Sequence, residues 1–215
     1  MRRLAPLSAA LILAVTATPA FAQKAGDWTI GIGAYQIDPE TDSDGTLTSS
    51  FTDFDIRNSK SFALTTEYFI TDNLGVEVFA SIPHKHDITV SNVIGVNGAY
   101  EAKVASTKLT LPSVTLQHHF GSGKVRPFIG AGVTYAHVGS LDTTGPLGNQ
   151  TLELDNSIGA SLRAGIDFDI GASGSVRIDA RWADIESTAH VDNVPYSRKI
   201  VINPLVYGAS YVYKF

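Results

Sequence analysis

The sequence predicts an all-β chain: an eight-stranded antiparallel transmembrane β-barrel with short turns at one end and long loops at the other. Three observations predict it. They are an exported leader at the N-terminus, connections that alternate between short and long, and a last strand with aromatics on one face only.

The chain opens Met1-Arg2-Arg3, runs apolar from Leu4 to Val15, and passes Pro19 to reach Ala20-Phe21-Ala22. A basic start, a short apolar core and an A-x-A site are the parts of a secretory signal peptide. The apolar run is shorter than the ~20 residues a spanning helix needs. The expected division is a signal peptide over 1–22, cleaved after Sec-type export, and one barrel domain over 23–215. The chain has no Cys, which excludes a disulfide framework and thiolate chemistry. Its net charge is −5, and Arg2 and Arg3 belong to the leader. That balance argues against nucleic acid as a partner and against attachment to anionic lipid by charge.

No segment carries a long helical period. Apolar and polar residues alternate instead over Asp27–Ile37, Ser59–Thr71, Leu74–Asp87, Lys103–Phe120, Val125–Val138, Ser157–Ile170, Ser175–Glu186 and Lys199–Phe215. Asp72-Asn73, Gly121–Lys124 and Gly171–Gly174 are tight turns, where Asn and Gly are expected to supply positive φ. Between them lie the long polar segments Pro39–Asn58, Ile88–Ala102, Gly139–Asn156 and Ser187–Arg198. Short turns on one side and long loops on the other are the asymmetry of outer-membrane barrels, with both termini on the periplasmic side. In the last strand Tyr207, Tyr211, Tyr213 and Phe215 share one parity, and Gly208, Ser210 and Lys214 the other. An aromatic face of that kind belongs at the lipid interface.

In such a barrel the polar parity faces inward. Glu67, Glu77, Arg163, Asp167, Arg177, Asp179, Arg181 and Lys214 then form a lumen charge network. A soluble sandwich with these residues on its solvent face is the alternative that periodicity alone leaves open. Eight strands enclose a space just wide enough for side chains to fill, so mixed charges are expected to pair rather than line a wide pore.

Several segments resemble one family. Val76–Ile88, with Pro83-His84-Lys85-His86-Asp87, is similar to the third strand of the OmpW family. Leu109–Phe120, with Leu-Pro-x-x-x-Leu-Gln-x-His-Phe, is similar to its fourth, and Arg126–Tyr135 to its fifth. Asp179–Glu186 and Ile202–Gly208 complete the match. The resemblance implies a Gram-negative outer-membrane barrel that is porin-like, without enzymatic activity or cofactor, and contains a narrow hydrophobic channel. It also implies passive uptake of small hydrophobic molecules across the lipopolysaccharide layer. The partners would be outer-membrane lipid, lipopolysaccharide and the solute. The alternative is a structural or surface-recognition barrel, an adhesin or receptor without transport. The discriminating feature is the upper lumen: a continuous apolar cavity open to the outside supports transport, whereas polar packing up to the loops or long protruding strand edges support recognition.

The candidate ligand channel comprises Leu47, Phe51 and Phe54 in the first loop, Val90, Val93, Ile94 and Val96 in the second, and Phe79 on the lumen parity of the third strand. A small core that only stiffens the loops is the competing reading. Pro83 and Pro112 mark a candidate lateral exit, because proline cannot donate a ladder bond and is excluded from central strands. A pair of bulges that bend the wall is the alternative there. His84 and His86 share a strand face, but no third ligand accompanies them, so no metal is expected. The acidic stretch Glu40–Gly45 fails as a calcium loop because Phe51 stands where the twelfth-position Glu belongs. No Gly-x-Ser-x-Gly is present, and no enzyme is expected.

Overall fold

The computed structural model describes residues 23–40, 42–43, 53–95, 98–139, 142–143, 152–171, 173–191 and 198–215. Residues 1–22, where a signal peptide is expected, lie outside them. Among the described residues sixteen strands are formed: β1 Trp28–Asp38, β2 Asp42–Ser43, β3 Asp53–Ile56, β4 Ser59–Phe69, β5 Leu74–Ser81, β6 His84–Gly95, β7 Gly98–Thr110, β8 Ser113–His119, β9 Val125–Val138, β10 Asp142–Thr143, β11 Leu152–Leu154, β12 Ser157–Asp169, β13 Gly174–Ala183, β14 Glu186–Val191, β15 Arg198–Val201 and β16 Leu205–Lys214. Eight of them pair in the ring order β1-β4-β5-β8-β9-β12-β13-β16, and β16 returns to β1. Every pair is antiparallel, so the sheet closes on itself and leaves no edge.

The eight-stranded wall matches the expectation, and the strand boundaries differ in an informative way. The third, fourth, seventh and eighth strands are not continuous. Each splits into a wall strand and an outer strand, at 82–83, 111–112, 184–185 and 202–204 respectively. The second long segment is not a loop either. Its backbone pairs in the β6–β7 hairpin from His84↔Leu109 out to Gly95↔Gly98, with β3 and β10 on its edges. The outer strands β11, β14, β15 and β2 form a second small sheet. A loop that extends beyond a barrel must satisfy its own N–H and C=O groups, and a hairpin does so internally.

The wall is inverted relative to a soluble protein. Ile32, Phe62, Leu64, Ile129, Ile158, Leu162 and Ile178 are exposed on the outer face. Glu67, Glu77, Asp167 and Arg177 are at most 1% exposed inside. Water-soluble packing would reverse these two sets, so the contrast decides for a lipid-facing exterior. Trp28 and Tyr68 stack at 4.9 Å on the turn end, beside the Tyr213–Phe215 pair at 5.1 Å, as an interface girdle.

The tight turns use different chemistry. Gly121 has φ 78, a conformation that costs glycine no steric penalty. Asn73, expected to adopt positive φ, does not. Its side-chain amide instead donates to the carbonyl of His119 at 3.0 Å, while Thr71 Oγ1 accepts from Leu74 N at 3.0 Å. Side-chain bonds close this hairpin and tie it to the neighbouring strand.

Candidate functional site

The interior has two storeys. The one nearer the turn end is ionic. Arg177 on β13 grips Asp167 of β12 with two bonds, at 2.6 and 2.9 Å, and reaches Glu77 at 3.0 Å and Glu67 at 3.2 Å. Arg163 on β12 donates to Asp179 at 2.9 Å, to Gln117 at 3.0 Å and to Glu77. Arg181 donates to Glu77 at 2.8 Å and also to Ser113. Three guanidinium groups therefore converge on Glu77, which is 0% exposed. Buried charges persist only when paired and hydrogen-bonded, and these are.

Seven of the eight residues expected in the network lie in it. Lys214 stands apart at the turn-end mouth, 3.4 Å from Asp27, with its side chain 23% exposed. The expectations missed four contributors. His119 bonds to Glu67 at 2.8 Å, and Gln117 accepts from Arg163. Arg126 clamps Asp169 with two bonds. Phe128 lies under both Arg177 and Arg163, whose guanidinium carbons are 4.6 and 4.9 Å from its ring centre. Strand parity could have found all four, since Gln117 and His119 alternate with Leu116 and His118, and Arg126 and Phe128 alternate with Pro127 and Ile129. Gly75 makes room for the network: a Cβ there would meet Glu67 Oε1 at 2.3 Å.

The upper storey is apolar. Tyr35, Ile37, Ala63, Phe79, Leu109, Leu111, Ala136, Ala183, Ile185, Ile200, Ile202 and Val206 form one buried cluster. Tyr35 and Phe79 are its floor. The Tyr35 hydroxyl donates to Asp179 at 3.0 Å, and Arg181 sits 4.3 Å from the centre of the Phe79 ring. The two rings meet edge to face at 5.3 Å. Of the other expected channel residues, Leu47, Phe51 and Val96 lie outside the described residues. Phe54 falls in β3, and Val90, Val93 and Ile94 fall in β6, where Phe54 pairs with Val90. His86 is buried, 3.1 Å from Ser59 Oγ and 2.9 Å from the carbonyl of Arg57. Among the described residues no cluster of three metal-ligating side chains occurs.

Pro83 and Pro112 sit where the wall comes apart. The β5–β8 ladder ends at Phe79↔Ser113, and pairing resumes only at His84↔Leu109. Ile82 continues the β4–β5 ladder: its N–H donates to Phe62 of β4 at 3.0 Å, and its carbonyl accepts from Ser61 Oγ. The Pro112 carbonyl accepts from Tyr135 of β9 at 2.9 Å. Each lip thus keeps its ladder on the far side while the pairing between them is broken. The other split, between β13 and β16, is stitched. Ile202 N donates to the Ile185 carbonyl at 2.8 Å, Ala183 N to the Pro204 carbonyl at 3.2 Å, and Ile185 N to Asn203 Oδ1 at 3.2 Å.

A closed antiparallel barrel with a lipid-facing apolar exterior and a charge-filled interior is an outer-membrane β-barrel protein. The OmpW family model matches residues 24–215. The chain is 30% identical to Outer membrane protein W of Vibrio cholerae, over 96% of each sequence. It is 27% identical to Outer membrane protein AlkL of Ectopseudomonas oleovorans, over 89% of this chain and 76% of that one. The crystal structure of OprG from Pseudomonas aeruginosa superposes with a TM-score of 0.79 at 23% identity, covering 91% of this chain and 99% of that one. The chain belongs to the OmpW family, and its place is the outer membrane of a Gram-negative cell.

Proposed function

We propose that the protein is a passive, non-enzymatic conduit for small hydrophobic molecules, which enter through the outer strands and leave sideways into the bilayer between β5 and β8. The observation that carries this reading is the pairing gap at Pro83 and Pro112 beside an apolar upper storey and above an ionic plug. An apolar solute that continued straight down would meet buried charge, at a cost of about 25 cal/mol per Å² of apolar surface exposed to polar groups. Sideways release into lipid carries no such cost. The stitched split between β13 and β16 is a built-in comparison: proline alone does not open a wall, because Pro204 is bridged. The family resemblance supports the same reading. An adhesin or receptor would need no apolar storey next to a gap.

The natural chain has no Cys, so an introduced pair reports alone. Ser81→Cys with Leu111→Cys places one thiol on each lip, midway between the last pairs of the two ladders. In vesicles with a lipopolysaccharide outer leaflet, oxidation is expected to reduce n-octane uptake about tenfold, and reductant to restore it. Uptake that survives the crosslink removes the lateral exit. Uptake absent in the reduced form removes the conduit.

A further inference from the structure

Where the ionic storey meets the apolar one, several buried polar atoms have no partner among the described residues: Thr134 Oγ1, Ser161 Oγ, Ser81 Oγ and Arg181 Nε, with the donors Arg163 Nη2 and Gln117 Nε2 beside Arg181. Thr134, Ser161 and Arg181 are 1%, 2% and 3% exposed. A buried polar group without a hydrogen bond costs about 1–3 kcal/mol, so several in one place require an explanation. Ser81 and Thr134 border the gap, and Arg181 reaches its far lip through its bond to Ser113. Ser81 ends β5 at one lip, and Thr134 pairs with Ser113, the first residue of β8 at the other. Ser161 lies diagonally from Thr134 across the β9–β12 ladder, where Gly132 and Gly159 are the residues directly opposite and bring no side chain.

These atoms define a chemistry. Three hydroxyls can each donate and accept, and the guanidinium Nε–H donates. Together they match a carbonyl or hydroxyl oxygen. They do not match a carboxylate, because no positive charge is in surplus. Four carboxylates, Glu67, Glu77, Asp167 and Asp179, already face three guanidinium groups. A pure alkane would leave every one of these polar atoms unsatisfied.

We infer that this boundary is a head-group subsite, and that the preferred solutes are apolar chains bearing one uncharged carbonyl or hydroxyl head. The chain lies among Phe79, Leu111 and Ile185, and the head bonds to the hydroxyls and Arg181 Nε. The inference rests on the conduit reading and narrows its substrate class.

The test uses the full chain in lipopolysaccharide-containing nanodiscs and vesicles, with 2-octanone, n-octane and octanoate as probes of similar length. Bound 2-octanone is expected to show a carbonyl stretch shifted to lower wavenumber. Thr134→Val combined with Ser161→Ala keeps the volume near native and is expected to abolish that shifted band. The same pair should lower the ratio of 2-octanone to n-octane uptake about tenfold. Octanoate is expected to enter more slowly than the ketone. An unshifted band in the native protein, or an unchanged uptake ratio in the double variant, overturns the subsite and assigns the hydroxyls to ordered water only. A hydroxyl-dependent band without uptake of any probe leaves the subsite standing and removes the conduit reading instead.

Discussion

Arg177→Ala is expected to cost the barrel about 3–5 kcal/mol, because removing one member of a buried ion network strands its partners in a poorly solvated space. Arg177 serves three carboxylates at once, on three strands, and its loss leaves Asp167 without either of its bonds from that fork. Arg177→Lys should recover only part of the loss, since an ammonium is a point donor and cannot grip a carboxylate with two parallel bonds. The measurement is urea unfolding of the folded protein in lipid vesicles, followed by the heat-modifiable gel shift. Lys214→Ala is the companion change. Its pairing with Asp27 is partly exposed at the mouth, so solvent screening should hold the effect to about 1 kcal/mol or less. Equal midpoints for the Arg177 and Lys214 variants would show that the interior network does not hold the barrel together.

Leu162→Arg is expected to destabilise the protein by about 2–4 kcal/mol in a bilayer, the cost of a cation on the lipid face near the midplane. Leu162 lies near the middle of β12 and is 58% exposed. A water-soluble protein tolerates such a change at so exposed a position, usually within about 0.5 kcal/mol. The neighbouring residue, Arg163, already carries the same charge on the opposite face at no such cost. One step along the strand thus separates a stabilising arginine from a damaging one. An unchanged unfolding midpoint for Leu162→Arg in vesicles would argue against a membrane-embedded exterior.

Much of this was legible in the residues themselves. A strand has a period of two, so parity put Glu67, Glu77, Arg163 and Asp179 on one face; the alternation of short and long connections and the aromatic last strand were needed to make that face the inside. The ring was not legible. Glu77 reaches Arg163 and Arg181 across 86 and 104 residues, distances set by closure and register rather than by local pattern. Parity could place His119 inside, but for the same reason its bond to Glu67 was invisible. Pro83 and Pro112 marked two of the four strand splits, whereas Pro204 lay inside a strand read as continuous to Phe215. Asp184-Ile185 carries no such mark, and β13 read as continuous into Glu186. Which proline site was stitched depended on Asn203, whose positive φ (25) and side-chain bond only a fold can set.

The division of the ionic storey also constrains how the molecule is made. Within the network, β4 and β5 contribute only carboxylates, Glu67 and Glu77. All three of its arginines, Arg163, Arg177 and Arg181, sit on β12 and β13. A β4–β5 hairpin entering lipid early would carry two unneutralised acids, and a β12–β13 hairpin an unneutralised arginine. Neither half can be stored in the bilayer while it waits for the other. A truncated chain ending before β12 is therefore expected not to insert into vesicles, whereas the full chain is expected to do so.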